Sequence, residues 1–116
     1  MSQPGLLGIH WLADASGCRT ETLRDPQAII DLLEALARAG GLTGLGEPLV
    51  RPNAAGLVGV LLLAESHASV HTDPASGGAY VDVFSCIELP ENLADHVTTH
   101  LGATQVTTRW VPRGPR

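Results

Sequence analysis

Residues 61–72, LLLAESHASVHT, join an apolar segment to a cluster of polar side chains. An apolar run leads to Glu65, and two serines and two histidines follow within the next seven positions. In an extended segment, side chains alternate between two faces, so His67, Ser69 and His71 share one face. Polar groups at the end of an apolar strand need partners, because burying them without hydrogen bonds is costly. We therefore expect a strand here that ends at a functional site.

Length and composition favour one globular domain. A chain of 116 residues is long enough for one modest core. Hydrophobic residues make up 44% of the sequence and charged residues 16%, which is typical of a folded chain. No apolar run approaches the roughly 20 residues of a membrane span, and the start of the chain lacks a signal-peptide pattern. The sequence therefore predicts a single domain over residues 1–116, with no membrane association, in the cytoplasm.

The charge balance argues against a nucleic-acid partner and mildly favours a small cationic ligand. The net charge is -5, and the sequence shows no basic patch of the kind that binds nucleic acid. An acidic chain suits a small cationic ligand. Cys18 and Cys86 form neither a disulfide framework nor a CxxC metal motif. In a reducing compartment we expect both to be free thiols.

The basic residues are informative because all seven of them are arginines. Pyridoxal phosphate enzymes hold their cofactor on a lysine, so a chain without lysine is not one of them. If the protein reacts with amines, the reactive carbonyl must come from another source. Arginine bias in a GC-rich genome is an alternative reason for the missing lysines.

Two helices are indicated by start and stop signals. Asp25-Pro26 combines a capping carboxylate with a proline at the first helical position, and Gly40-Gly41 would end that helix. Pro90 opens a second helix, which has a partly apolar side and ends at Gly102. In the first helix, apolar side chains recur at helical spacing and would pack on a sheet: Ile29, Leu32, Leu33 and Leu36.

The other apolar or alternating segments are predicted strands. They lie at residues 6–13, 57–64, 79–85 and 104–111, and the segment that begins at Glu65-Ser66-His67 is a further strand, called the motif strand. A weaker strand is predicted at 42–50, where glycines and a proline interrupt the pattern. Residues 73–78 form a hairpin-type loop, and residues 112–116 a loose tail. The order is roughly β-α-β-β-β-α-β. Because short turns favour antiparallel pairing, we predict an α+β, two-layer domain with an antiparallel sheet and both helices on one face.

The pattern Glu-Ser-His-x-Ser-x-His-Thr at 65–72, together with Asp-Val-Phe-Ser-Cys at 82–86, resembles the prokaryotic S-adenosylmethionine decarboxylase family. The resemblance is dense between Gly56 and Cys86 and thin elsewhere. It implies the same two-layer architecture, with two protomers pairing into a four-layer αββα homodimer and sites near the interface. It also implies a carboxy-lyase of polyamine and spermidine biosynthesis that is made as a zymogen.

The resemblance further implies autocatalytic cleavage between Glu65 and Ser66, which would give chains 1–65 and 66–116. Ser66 would then become an N-terminal pyruvoyl group. This group forms a Schiff base with the substrate amine and takes the place of pyridoxal phosphate as the electron sink. No metal is implied.

Roles for four further side chains also follow from the resemblance. His71 would be the acid or base of processing, since a pKa near neutrality suits proton transfer. Cys86 would donate a proton in decarboxylation, because a thiol with a pKa of about 8.5 can be tuned for that task. His67 and Ser69 are possible supporting residues.

Three positions depart from the family pattern. Segment 49–56 lacks the phenylalanine that stacks on adenine, Ala75 replaces a glutamate that binds the ribose hydroxyls, and Val58 replaces a serine that assists processing. Losing the stack and the hydrogen bonds would weaken nucleoside binding. The substrate is therefore S-adenosylmethionine or, alternatively, a smaller cationic amino acid such as L-arginine or L-ornithine, whose charge Asp73 could meet. A non-catalytic paralogue that acts as a binding subunit is a third hypothesis.

Other histidine patterns give weaker hypotheses. His96 and His100 lie one helical turn apart, as two metal ligands could, but no motif places a third ligand. His67 and His71 are an alternative zinc pair. A Ser-His-Asp hydrolase is disfavoured, because the sequence has no GxSxG nucleophile motif. The role of His10, in the first predicted strand, stays open.

Overall fold

Six β-strands and three α-helices make up the fold, in a computed structural model that describes residues 7–115. In chain order they are β1 (Gly8–Ser16), α1 (Thr20–Leu23), α2 (Pro26–Ala39), β2 (Leu49–Pro52), β3 (Leu57–Leu63), β4 (Ser66–Asp73), β5 (Gly78–Ser85), α3 (Leu93–Leu101) and β6 (Gln105–Arg113). All strand pairs are antiparallel, and the sheet order is β2-β3-β4-β5-β1-β6. The predicted α+β class and antiparallel sheet are confirmed.

The longest helix, α2, begins and ends where the sequence indicates. Asp25 Oδ1 accepts a hydrogen bond from the Gln27 backbone N–H at 3.0 Å, and Pro26 takes the first helical position. Gly40 and Gly41 follow the last residue, and Gly41 has a φ of +67°. The apolar stripe predicted for this helix is fully buried in the core. Capping and burial therefore act together to fix α2.

The helices cover one face of the sheet. α2 packs on β2, β3 and β4, while α3 packs on β1, β6 and α2. Alternate strand side chains fill the space between sheet and helices, among them Trp11, Val70 and Val83. The opposite face carries no helix in the described part of the chain, and we call it the open face. Between residues 7 and 115, no helix combines the length and the apolarity needed to cross a membrane.

One buried hydroxyl ties the layers together. Thr72 Oγ1 accepts a hydrogen bond from the Leu57 backbone N–H and donates one to the Leu23 carbonyl, both at 2.9 Å. These bonds join β4 to β3 and to α1. A buried polar group without partners would destabilise the fold, so this pairing favours one position of β4 in the sheet.

Some predicted boundaries are wrong by a few residues. The strand predicted at 42–50 is observed only at Leu49–Pro52, because glycines interrupt its earlier part. The second long helix begins at Leu93 rather than Pro90. The short α1 adds a helix to the two that were expected. The strands predicted before and after the Glu65–Ser66 motif, at 57–64 and 79–85, are observed within one residue of these bounds.

The two ends of the chain also differ from prediction. β1 runs from Gly8 to Ser16, three residues beyond the predicted end, because its whole length pairs with β6. The predicted first residue of that strand, Leu6, lies outside the described residues. The tail expected from residue 112 is still strand as far as Arg113. Pairing with β1 therefore extends β6 beyond what local sequence indicates.

Candidate active site

The bond between Glu65 and Ser66 lies in the tight turn that joins β3 to β4. Leu63 pairs with Ser66 across this turn, so Ala64 and Glu65 are the two residues between the paired positions. Within residues 7–115, Glu65 is the one non-glycine residue with a positive φ, at +62°. That conformation costs an L-amino acid roughly 1–2 kcal/mol. The backbone is therefore strained on the acyl side of the Glu65–Ser66 bond.

The thiol of Cys86 lies beside this same peptide unit. Antiparallel pairing of β4 with β5 sets His67 opposite Phe84, so the end of β5 lies next to the start of β4. The Cys86 Sγ donates a hydrogen bond to the Glu65 carbonyl oxygen at 3.3 Å. The structure therefore brings three residues singled out by the sequence, Glu65, Ser66 and Cys86, to one end of the sheet.

A cavity of about 510 Å³ opens at this end of the sheet. Within it the His67 ring stacks on Phe84 at a centroid distance of 6.1 Å, and it meets the His10 ring edge-on at 5.9 Å. The cavity therefore combines the turn with aromatic and basic side chains. Its lining residues are Leu7, His10, Glu65, Ser66, His67, Phe84, Arg113 and Gly114.

Asp82 is the centre of a hydrogen-bonded chain that crosses the open face. Its Oδ2 lies 2.7 Å from His10 Nε2, and its Oδ1 accepts a hydrogen bond from the Ser69 hydroxyl. Arg113 Nη1 lies 3.0 Å from His10 Nδ1. The chain therefore links β6, β1, β5 and β4. His67 Nε2 is 3.9 Å from the same Asp82 Oδ2, which is beyond hydrogen-bonding distance.

The Arg113 contact fixes the tautomer of His10. A guanidinium can only donate hydrogen bonds, so His10 Nδ1 accepts and Nε2 carries the proton. His10 Nε2–H then donates to Asp82. Sequence reasoning did not place His10 or Arg113 at the site. Strand alternation could have indicated this contact, because His10 and Asp82 lie on the same face of the sheet when β1 pairs with β5.

His71 lies on the open face but away from Ser66. It is five residues further along β4, which corresponds to about 16 Å of extended strand. Its neighbours across the sheet are Val58 and Tyr80, and its side chain is exposed. Within one protomer, His71 and Ser66 are therefore not brought together, whereas Ser69 joins the site through Asp82.

One group of side chains has the composition of a metal site. His10, His67 and Asp82 each offer a ligand atom, and these atoms lie within 4.8 Å of one another. Two histidines and a carboxylate could hold zinc. The hydrogen-bonded chain competes with this use, because His10 directs Nε2–H at Asp82 while Arg113 contacts its other nitrogen.

The two metal pairs suggested by the sequence are less well placed. His67 and His71 are four residues apart on one strand, about 13 Å, so they cannot share an ion within a protomer. His100 Nδ1 lies 2.9 Å from the His96 backbone carbonyl, which engages that ring nitrogen. In the described part of the chain, neither pair acquires a third ligand.

The remaining residues of interest lie away from the cavity. Cys18 is buried, and burial raises the pKa of its thiol. Ala75 is exposed in the β4–β5 turn. Asp73 accepts a hydrogen bond from the Ser76 hydroxyl at 3.0 Å and lies seven residues, about 23 Å, along β4 from Ser66. Asp73 therefore does not reach the Ser66 cavity of its own protomer.

A solved structure shares this architecture. The crystal structure of the adenosylmethionine decarboxylase from Aquifex aeolicus superposes with a TM-score of 0.81 at 31% identity, covering 97% of this chain and 94% of that one. At this level of identity the likeness extends beyond the bare fold.

Relatives of similar sequence indicate the same family as the solved structure. A proenzyme of S-adenosylmethionine decarboxylase from Hydrogenobaculum is 36% identical over 110 residues, which is 93% of this chain and 82% of that protein. Another, from Pyrococcus furiosus, is 32% identical over 93% of this chain and 79% of its own length. The family model described as S-adenosylmethionine decarboxylase matches residues 9–114. The chain therefore belongs to the S-adenosylmethionine decarboxylase family.

Proposed function

We propose that the protein is a pyruvoyl-dependent S-adenosylmethionine decarboxylase that makes its own cofactor by cutting the chain between Glu65 and Ser66. One observation carries this proposal: the Cys86 thiol donates a hydrogen bond to the Glu65 carbonyl at a strained turn. Cys86 is the family's proton donor by resemblance. In the uncut chain it contacts the carbonyl that the serine must attack.

The first step of cleavage is an isomerisation. Ser66 Oγ attacks the Glu65 carbonyl carbon, the bond from that carbon to the Ser66 nitrogen breaks, and the hydroxyl proton ends on the nitrogen. Negative charge develops on the carbonyl oxygen, where the Cys86 S–H can stabilise it. Elimination then releases residues 1–65, and water converts the remaining dehydroalanine into a pyruvoyl group with loss of ammonia.

The surroundings of Ser66 fit such a group. A keto group at this position would lie in a cavity of about 510 Å³, beside the Cys86 thiol and the His67 ring. The pyruvoyl group supplies an electron sink for loss of carbon dioxide, the role that pyridoxal phosphate plays in other enzymes. Cys86 is then placed to return a proton to the product. The net charge of -5 suits a cationic substrate such as S-adenosylmethionine.

We further propose that two protomers pack their open faces together as a four-layer αββα homodimer. The open face exposes large apolar side chains, including Leu62 at 59% and Tyr80 at 52%. Exposed apolar area of this kind marks interaction surfaces. His71 is about 16 Å from Ser66 within one chain, so the dimer would supply His71 of the partner subunit to each cleavage site. We also propose a cytoplasmic location, which suits two unpaired thiols.

Intact-mass analysis tests self-processing. Purified protein should give two chains, 1–65 and 66–116, and the second should carry a pyruvoyl terminus that reacts with carbonyl reagents. Release of labelled carbon dioxide from S-adenosylmethionine then tests the substrate. Release from L-arginine or L-ornithine instead would reassign the substrate while keeping the reaction class. A chain that stays at full length would contradict the proposal.

Mixed dimers test whether His71 acts across the interface. A Ser66→Ala chain and a His71→Ala chain should each stay uncut alone. Co-expression should restore cleavage of the His71→Ala chain, because its Ser66 then meets His71 of the partner subunit. If co-expression restores nothing, the two residues do not act across the interface.

A further inference from the structure

We propose that His67, held in place by Asp82, carries the proton during the first step of chain cleavage. This inference rests on the self-processing proposed above and assigns the acid–base chemistry of its first step alone to residues of the same protomer. Asp82 acts on His67 and touches no reacting atom, so it is a positioning residue.

His67 is the histidine at the turn with free ring nitrogens. It lines the cavity together with Glu65 and Ser66, and its side chain is 42% exposed. Both nitrogens of His10 are engaged, one by Asp82 and one by Arg113. No hydrogen bond within residues 7–115 uses a ring nitrogen of His67. A proton carrier needs such a free nitrogen close to the reacting atoms.

Three contacts fix the orientation of the His67 ring. Phe84 stacks on one side, with an interplanar angle of 25°, and the His10 ring packs edge-on at 88°. Asp82 Oδ2 lies 3.9 Å from His67 Nε2. When His67 takes up the proton of Ser66, this carboxylate lies at ion-pair distance from the imidazolium.

Asp82 can perform this role because it is itself anchored from two strands. Ser69 on β4 donates to one carboxylate oxygen and His10 on β1 donates to the other. Arg113 on β6 holds His10 in the tautomer that donates. The Asp82 side chain is only 22% exposed, so water weakens its charge less than it would at the surface. Rotation of the carboxylate away from His67 would break one of these bonds.

In the first step of cleavage, His67 takes up one proton and gives the same proton back. His67 accepts the proton of Ser66 Oγ as the bond from that oxygen to the Glu65 carbonyl carbon forms. The same proton passes from the imidazolium to the Ser66 nitrogen as the peptide carbon–nitrogen bond breaks. The histidine ends neutral, and the product is the ester isomer of the chain. The later elimination is assigned to other groups, among them His71 of the partner subunit proposed above.

The test follows cleavage of newly made chain by intact mass, in cell-free synthesis. His67→Ala should slow cleavage by about 100-fold, the typical contribution of a positioned acid or base, and added imidazole should restore part of the rate. Asp82→Asn should slow cleavage about tenfold through the loss of coupling to His67. Asp82→Glu, which keeps the carboxylate, should fall between Asp82→Asn and the wild type.

Two comparisons separate positioning from general damage. Asp14→Asn removes the same charge from the open face, outside the hydrogen-bonded chain, and should cleave at the wild-type rate. Adding Asp82→Asn to His67→Ala should cause no further slowing, since Asp82 acts through the missing ring. Thermal melting of each variant establishes that it is folded.

The outcomes distinguish this inference from the function on which it rests. A wild-type chain that never cleaves would overturn both. A wild-type chain that cleaves normally, with Asp82→Asn equally fast, would overturn this inference alone. The same holds if the two substitutions slow cleavage additively, or if imidazole restores nothing to His67→Ala.

Discussion

The two faces of the sheet have different chemistry although they share the same six strands. The face under the helices is apolar and closely packed, and its exceptions, Thr72 and Ser85, have hydrogen-bond partners. The open face carries the hydrogen-bonded chain from Arg113 to Ser69, with exposed apolar side chains around it. Strand alternation allows this division, because neighbouring residues point to opposite sides.

Stability and chemistry are thus carried by alternate residues of the same strands. On β4, Ala68, Val70 and Thr72 are buried under α2, while His67 and Ser69 face the other way. A substitution on the covered face should therefore change the free energy of unfolding. A substitution on the open face should change cleavage or association.

The largest effect should come from Ser66→Ala. Without the hydroxyl, no nucleophile remains at position 66, so cleavage should be abolished while the uncut chain still unfolds in one cooperative transition. Intact mass measures the first quantity and calorimetry the second. Ser76→Ala, in the β4–β5 turn, is the matched control and should cleave normally. A Ser66→Ala chain still cut at 65/66 would show that the nucleophile is another group.

Leu36→Ala should have the largest effect on stability. This side chain of α2 is fully buried, and such truncations cost about 2–5 kcal/mol. Urea unfolding in the Ser66→Ala background avoids mixtures of cut and uncut chain. Leu45→Ala, at an exposed leucine outside the strands, should cost far less. Equal losses at the two positions would show that burial under α2 does not set the cost.

Tyr80→Asp should weaken association of the protomers without unfolding them. A charge placed on the apolar open face must be desolvated in a dimer. If Tyr80 is a central contact, the loss is about 2 kcal/mol or more, roughly 30-fold in the dissociation constant. Sedimentation equilibrium measures this, with Tyr80→Phe as the control. A Tyr80→Asp protein with unchanged association would place the dimer contact elsewhere.

Gly59→Ala should give a smaller loss of stability. Gly59 lies under α2, where an added Cβ would be 2.8 Å from Ile29 Cγ2 and 3.2 Å from Leu33 Cδ1. Overpacking of this kind costs about 1–3 kcal/mol. Gly44→Ala is the matched control, since its Cβ would meet no atom closer than 3.6 Å. Urea unfolding that finds both variants equally stable would show that α2 moves aside freely.

Local signals in the sequence predict much of the fold. Asp25-Pro26 and Gly40-Gly41 mark α2 because capping depends on residues next to one another. The motif strand and its alternation also follow from local pattern. β6 extends beyond its predicted end because pairing with β1, almost a hundred residues away, decides where it stops.

The candidate site was predictable only in part for the same reason. Glu65, Ser66 and Cys86 were found through the family motif, and the structure places them in contact or adjacent. The contacts of His10 with Asp82 and Arg113 join residues 72 and 103 positions apart. Their geometry depends on the register of β1 between β5 and β6, which no local pattern specifies.

After a cut at 65/66, the order of the strands in the sheet would hold the two fragments together. The first fragment would carry β1, β2 and β3 and the second β4, β5 and β6, yet β1 lies between β5 and β6. The two pieces are interleaved, so neither can leave without dismantling the sheet. Once denatured, they would have to find each other again in solution, and refolding would become second order in protein concentration. The uncut chain would thus refold from a single polypeptide, whereas the cut protein would recover its sheet only if its two fragments reassociated.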